Sequence, residues 1–266
     1  MVRNARKGMT MNSKRSALMT LYLCIIAVLV MVIAALAVTV DWDRVSFGRL
    51  RGRNLSPVMQ EVVLPFRTDP TLYTQLDPAP KGYFDDALFL GNAVLEGLSM
   101  YDYDGILGNA DFAARDGVNL LNAAELLEET DGKSYGKIYI ELGTSEMSYD
   151  LDQLEGYYED LVDTLMERYP DSIIYLMAVP PVSRYKSNNN TIYTKYLAAK
   201  FNEMIQDVAL EKTVWYLDIY TALADDDGYL PSEVTVDGIH FTPGHYELWY
   251  DYLRYHYSDA PPGYGD

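Results

Sequence analysis

The sequence predicts an α/β fold, a parallel sheet covered by helices on both faces, preceded by one transmembrane helix. Three observations predict it. From Asp85 onward, short apolar runs alternate with segments of helical periodicity about five times. Ser172–Val179 is apolar almost throughout, as a strand buried on both faces must be. Ala17–Val40 is a further apolar run, broken only by Thr20 and Thr39. As a helix rising about 1.5 Å per residue it spans about 36 Å, enough to cross a bilayer with some tilt.

The elements follow in order. Residues 1–16 are polar and carry Arg3, Arg6, Lys7, Lys14 and Arg15 without an acid. A basic flank before the apolar run predicts a cytoplasmic N-terminus and an extracytoplasmic remainder. The competing reading is a cleaved signal peptide, with Ala35-Leu36-Ala37 as the cleavage site; its apolar core is usually only about 7–15 residues long. Cys24 lies inside the run and fits a small membrane-buried residue better than a lipid-attachment site, because Leu23 precedes it. Residues 41–82 hold Pro57, Pro65, Pro70, Pro78 and Pro80 and read as a linker. Arg44, Arg49, Arg51 and Arg53 in it suit either lipid headgroups and anionic wall polymer or plain solvation.

Residues 83–258 are the expected domain. Ala87–Leu90 is its first strand, and Val94, Leu95, Leu98 and Tyr101 mark the helix that follows. A short strand is expected at Asp111–Ala114 and a helix near Val118–Leu127. Lys137–Leu142 is the next strand, followed by a helical stripe from Leu151 to Tyr169. After the strand Ser172–Val179 a second stripe runs through Tyr193, Leu197, Phe201, Met204 and Val208, and Val214–Ile219 is the last strand. Thr242 as cap and Pro243 in the first turn start a final helix through Tyr246, Trp249 and Leu253. Residues 259–266 are expected to be a disordered tail.

Charge and composition exclude several functions. The residues beyond position 40 hold all 39 acids and 16 of the 21 basic residues, a net charge of −23. Such a surface repels phosphate backbones, so nucleic acid is not an expected partner. One cysteine allows neither an internal disulfide nor a cysteine metal site. His240 and His245 stand five apart with no third ligand cluster, so no metal and no cofactor is expected.

Polar signals concentrate at three strand ends: Gly91-Asn92-Ala93, Gly143-Thr144-Ser145-Glu146, and Asp237-Gly238-Ile239-His240 before the final helix. In an open parallel sheet all three lie along one edge. An aspartate three residues before a histidine can fix the imidazole's tautomer and orientation for general-base work. The same spacing also suits a capped loop whose histidine satisfies a neighbour.

Taken together and in order, these blocks resemble the SGNH/GDSL hydrolase family. Phe89-Leu90-Gly91-Asn92-Ala93 stands where the family has Phe-x-Gly-Asp-Ser. Gly117 fits the second block, Gly143–Glu146 the third (Gly-x-Asn-Asp/Glu), and Asp237–His240 the last. The stretch from Asp227-Gly228-Tyr229-Leu230 to Thr242 is especially like a membrane-anchored branch from Gram-positive gut bacteria. The resemblance implies a three-layer α/β/α sandwich of flavodoxin-like type with a five-stranded parallel sheet, and an esterase ancestry acting on acylated carbohydrates, wall polymers or lipids. It makes Asp237 and His240 the retained base pair and Ala93 the nucleophile position. The Ala93 backbone, Gly117 and Ser145 become the oxyanion donors.

The departures bear directly on the chemistry. Alanine has no oxygen to attack with, so acyl-serine catalysis from position 93 is excluded. The family's aspartate is Asn92 and its oxyanion asparagine is Ser145, whose hydroxyl reaches less far. Ser99, six residues along the helix, lies about 9 Å further up its axis, too far to substitute. Two readings of the site result, beside a third in which the protein is a purely structural membrane-tethered partner. One is a membrane-anchored, extracytoplasmic pseudoenzyme that keeps a groove for an acylated carbohydrate or wall polymer. The other is an active deacylase that uses Ser145 or a water activated by His240.

Overall fold

The computed structural model describes residues 69–262, all within the second of two units into which the chain divides, Met1–Val63 and Leu64–Asp266. The expected cytoplasmic tail, transmembrane helix and most of the linker lie outside the described residues. Among the described residues no helix is long and apolar enough to cross a membrane.

Five parallel strands form one sheet: β1 (Ala87–Gly91), β2 (Asp111–Ala114), β3 (Lys137–Glu141), β4 (Ile173–Met177) and β5 (Trp215–Leu217), in the order β2-β1-β3-β4-β5. Every residue of β1 and β4 is buried, which the apolar runs require. Helix α1 (Ala93–Met100) follows β1, α2 (Ala123–Leu126) follows β2 and α3 (Leu151–Arg168) follows β3. After β4 come the short α4 (Arg184–Asn188) and the long α5 (Lys195–Lys212). After β5 come α6 (Ile219–Leu223) and α7 (Tyr246–Tyr255). Right-handed crossovers put α1 on one face, joined there by α7, and α3 and α5 together on the other. The result is the three-layer architecture.

One row of aromatic rings crosses four strands. The register aligns Phe112, Phe89, Tyr139 and Tyr175. Their rings stack with centroids 4.9, 4.6 and 4.5 Å apart and planes within 10°. Each such pair contributes about 0.5–1.5 kcal/mol beyond its burial. The tyrosine excess therefore serves in part to lock strand register.

Five local expectations change. The helix foreseen at Val118–Leu127 contracts to Ala123–Leu126 with a 3-10 turn to Thr130. Asn119 and Asn122 bind neighbouring backbone instead: Leu121 N–H donates to Asn119 Oδ1 and Asn119 N–H to Asn122 Oδ1. The strand foreseen to Ile219 stops at Leu217, because Asp218 caps α6 by accepting from Thr221 N–H. Thr242 makes no side-chain cap bond; Pro243–His245 form a 3-10 turn and the helix proper begins at Tyr246. The packed domain also begins before residue 83. Pro70–Leu72 bridge the open edge of β5 through Tyr216, and the N–H groups of Gln75 and Ala79 meet the carbonyls of Tyr255 and Arg254 at the end of α7. At the other terminus, Trp215 Nε1 donates to the Ala260 carbonyl, within the segment foreseen as disordered; residues 263–266 lie outside the described residues.

Candidate functional site

Strand order reverses direction between β1 and β3, and in this topology the crevice outside those two strand ends takes the ligand. Position 93 and position 145 flank that crevice. At the end of β1, Gly91 is required by close approach: a Cβ there would lie 2.5 Å from the Glu141 carbonyl on β3. Asn92 then caps α1, its Oδ1 accepting from Val94 N–H at 2.8 Å. Ala93 is the first helical residue and partly exposed. The geometry is that of a nucleophile elbow, a strand turning sharply into a helix, and its apex presents a methyl group.

The second and third blocks are tied to the first. Arg115 N–H donates to the Gly91 carbonyl at 3.4 Å, setting the loop of Gly117 beside the elbow. Gly117 itself takes a positive φ of 82° and borders a cavity of about 200 Å³ lined by Arg115, Asp116, Asn122 and Glu125. Ala93 and His240 do not line it. Glu146 is buried and its Oε1 accepts from Leu120 N–H at 2.7 Å, joining the β3 loop to the Gly117 loop. Ser145, between them, is exposed. All three expected oxyanion positions thus lie on connected segments at one sheet edge.

The last block is a preformed dyad. Asp237 Oδ1 accepts from the N–H groups of Ile239 and His240 at 3.0 and 2.9 Å, and Oδ2 meets His240 Nδ1 at 2.7 Å. A carboxylate only accepts, so Nδ1 carries the proton and Nε2 is left with the lone pair of a general base. Partial burial pushes the Asp237 carboxyl up, but the His240 ring and the two N–H groups outweigh it and hold it at about 2. Among the described residues His240 makes no hydrogen bond to Ser145, so the structure does not join the base to the alternative nucleophile.

Two residues that matter here carry little signal in the sequence. Tyr246 reads as an ordinary stripe residue, yet its hydroxyl donates to the Val94 carbonyl, one residue beyond Ala93. Glu141 ends an apolar strand and reads as exposed by its charge, yet it is fully buried at the crevice floor. Burial pushes its carboxyl up to about 8, Glu146 adds to the rise, and the Thr144 hydroxyl donating to Oε1 opposes it. Its position as the last residue of β3, beside a glycine-bearing loop, was the only hint. Among the described residues no group of three histidine, cysteine or carboxylate side chains could hold a metal ion.

Residues 121–248 match the family model of the GDSL-like lipase/acylhydrolase family. The domain is a GDSL/SGNH hydrolase domain. Solved structures of the same fold include a GDSL-like lipase from Bacteroides thetaiotaomicron (17% identity, TM-score 0.53, covering 65% of this chain and 88% of that one). A provisionally named acylhydrolase from Bacteroides fragilis gives 16% identity and a TM-score of 0.55 over 73% and 90% of the two chains. A provisionally named platelet activating factor from Streptococcus pneumonia gives 21% identity and 0.51 over 67% and 85%. No curated protein gives a match to the sequence. Of the four sequence blocks, Gly143–Glu146 and Asp237–His240 fall within the matched residues, while Gly91–Ala93 and Gly117 precede them.

Proposed function

We propose that this is a membrane-anchored, extracytoplasmic GDSL/SGNH protein that has lost acyl-serine catalysis and keeps a groove for an acylated ligand of the cell envelope. The observation that carries the reading is a contrast within one site. The base pair Asp237–His240 is held at 2.7 Å, while the strand-to-helix turn at the family's nucleophile position presents Ala93. In serine hydrolases, loss of one triad member leaves about 10³–10⁴-fold acceleration over water, from binding and the oxyanion donors. The anchor in this reading is the apolar run Ala17–Val40, with the basic residues before it on the cytoplasmic side. An acylated carbohydrate or wall polymer is the ligand class that suits the family.

A second reading has one observation in its favour. With Nδ1 committed to Asp237, His240 Nε2 is free to take a proton from water, which then attacks an ester without a covalent intermediate. The test is turnover of 4-nitrophenyl acetate by the full chain and by His240→Ala. The proposal expects both to turn over at the same rate, with no more than the residual acceleration that binding and the oxyanion donors supply. Turnover by the wild type that disappears in His240→Ala overturns it and establishes water activation.

A further inference from the structure

Two buried carboxyls stand at the ends of the turn that carries Ser145. Glu141 closes β3 and is fully buried; Glu146, at the far end of the turn, is 3% exposed. The turn itself is closed by Glu146 N–H donating to the Gly143 carbonyl at 3.2 Å. Each carboxyl has one oxygen engaged. Glu141 Oε1 accepts from the Thr144 hydroxyl at 3.2 Å, and Glu146 Oε1 accepts from Leu120 N–H at 2.7 Å. The second oxygen of each is buried without a hydrogen bond, and so is the Tyr158 hydroxyl on α3. These three groups share one pocket of the interior: Glu146 acts electrostatically on Glu141, and both act on Tyr158. Asn92 at the start of α1 and Tyr246 on α7 are the other polar side chains that feel Glu141. Among the described residues neither carboxyl is paired with a cation.

Two neighbouring carboxylates in a dry interior cannot both be ionised. A carboxylate only accepts, so double ionisation leaves two buried oxygens to share the single Tyr158 hydroxyl. A carboxylic acid brings its own donor. One retained proton therefore halves the buried charge and supplies a missing hydrogen bond. We propose that Glu141 and Glu146 hold one proton between them, and that this proton latches the Ser145 turn to the Gly117 loop through Leu120. Losing it sets two charges against each other. Glu141 is fixed in the ladder opposite Gly91, so Glu146, in a loop, is the member that gives way. Its withdrawal releases Leu120 N–H and loosens both loops at the crevice. The latch is closed at neutral pH and opens in alkali. It needs no ligand, so it stands or falls independently of the pseudoenzyme reading.

The test uses the full chain in detergent, isotope-labelled at its glutamate side-chain carboxyls for NMR, with backbone hydrogen exchange followed in parallel. A carboxyl titration near pH 8 is expected in the wild type. It should be lost in Glu141→Gln and in Glu146→Gln alike, because an amide supplies the donor without the charge. After correction for intrinsic exchange, Leu120 N–H should lose protection about tenfold for each pH unit above the titration point. Ile239 N–H, held by the Asp237 carboxylate, should keep its protection over the same range. In either glutamine variant Leu120 should stay protected throughout. An alkaline titration that persists in both variants overturns the inference, because the proton then sits elsewhere. So does a wild type with no carboxyl titrating above neutral pH, or one in which Leu120 protection stays constant or falls equally with that of Ile239. These last outcomes are read on the wild type alone and hold even if a variant fails to fold.

Discussion

The Tyr246 phenol donates a 2.9 Å hydrogen bond to the Val94 carbonyl, so the helix that follows His240 is fastened to the first turn of the helix that begins at Ala93. Tyr250, one turn later, repeats the bond to the Leu98 carbonyl at 2.5 Å. Gly97 makes this approach possible, since a Cβ there would stand 2.1 Å from the Tyr246 oxygen. Two segments 152 residues apart are thereby set in one geometry, and the base loop is set with them.

Tyr246→Phe removes one buried hydrogen bond and should cost about 1 kcal/mol in chemical denaturation. Gly97→Ala forces the phenol aside and should cost more, about 2–3 kcal/mol. Equal, negligible costs for both would mean that the contact does not fasten the helices.

Gly91→Ala tests the crevice floor. Its methyl would meet a backbone oxygen of the adjacent strand, which has no room to yield within the sheet. A loss of about 3 kcal/mol or more is expected from denaturant unfolding.

Glu141 gives the stability a pH dependence. Its folded pKa of about 8 lies above the ordinary 4.5, so the native state binds a proton that the unfolded chain has released. Stability should therefore fall as pH rises from about 4.5 to 8. Burial raises Glu146 in the same direction, which leaves part of the slope when Glu141 is replaced. Glu141→Gln should flatten the profile and raise the melting temperature at pH 8 by about 5 °C. An unchanged profile would show that Glu141 ionises normally.

Asp237 behaves oppositely. Held at about 2 against the usual 3.8, it contributes stability that is present above pH 3.8 and lost as pH falls through 2. The dyad should thus stay assembled through mildly acidic conditions. In NMR spectra, neutral His240 should be the Nδ1–H tautomer in the wild type and a mixture in Asp237→Asn. The same mixture in both would contradict the dyad.

Much of this was legible in the sequence, and the reasons are local. β1, β3 and β4 are apolar runs bounded by turns, which only a sheet buried on both faces explains. Asp237 and His240 were legible because their bond closes within four residues. Tyr246 was not, because its partner is Val94, and no periodicity reports a contact across the fold. Glu141 was hidden for the opposite reason: its charge argues for exposure, and only the packing of β1 on β3 buries it. The asparagines at 119 and 122 mimic helix formers in a stripe count, yet their side chains compete for the backbone and shorten α2.

The central proposal is that the site lacks its nucleophile and its asparagine oxyanion donor but keeps a working base pair. Hydrolysis of 4-nitrophenyl acetate by Ala93→Ser combined with Ser145→Asn measures this most directly. The double variant should gain turnover at least about 10²-fold above the wild type, and adding His240→Ala should abolish the gain. A folded double variant no more active than the wild type would contradict the claim.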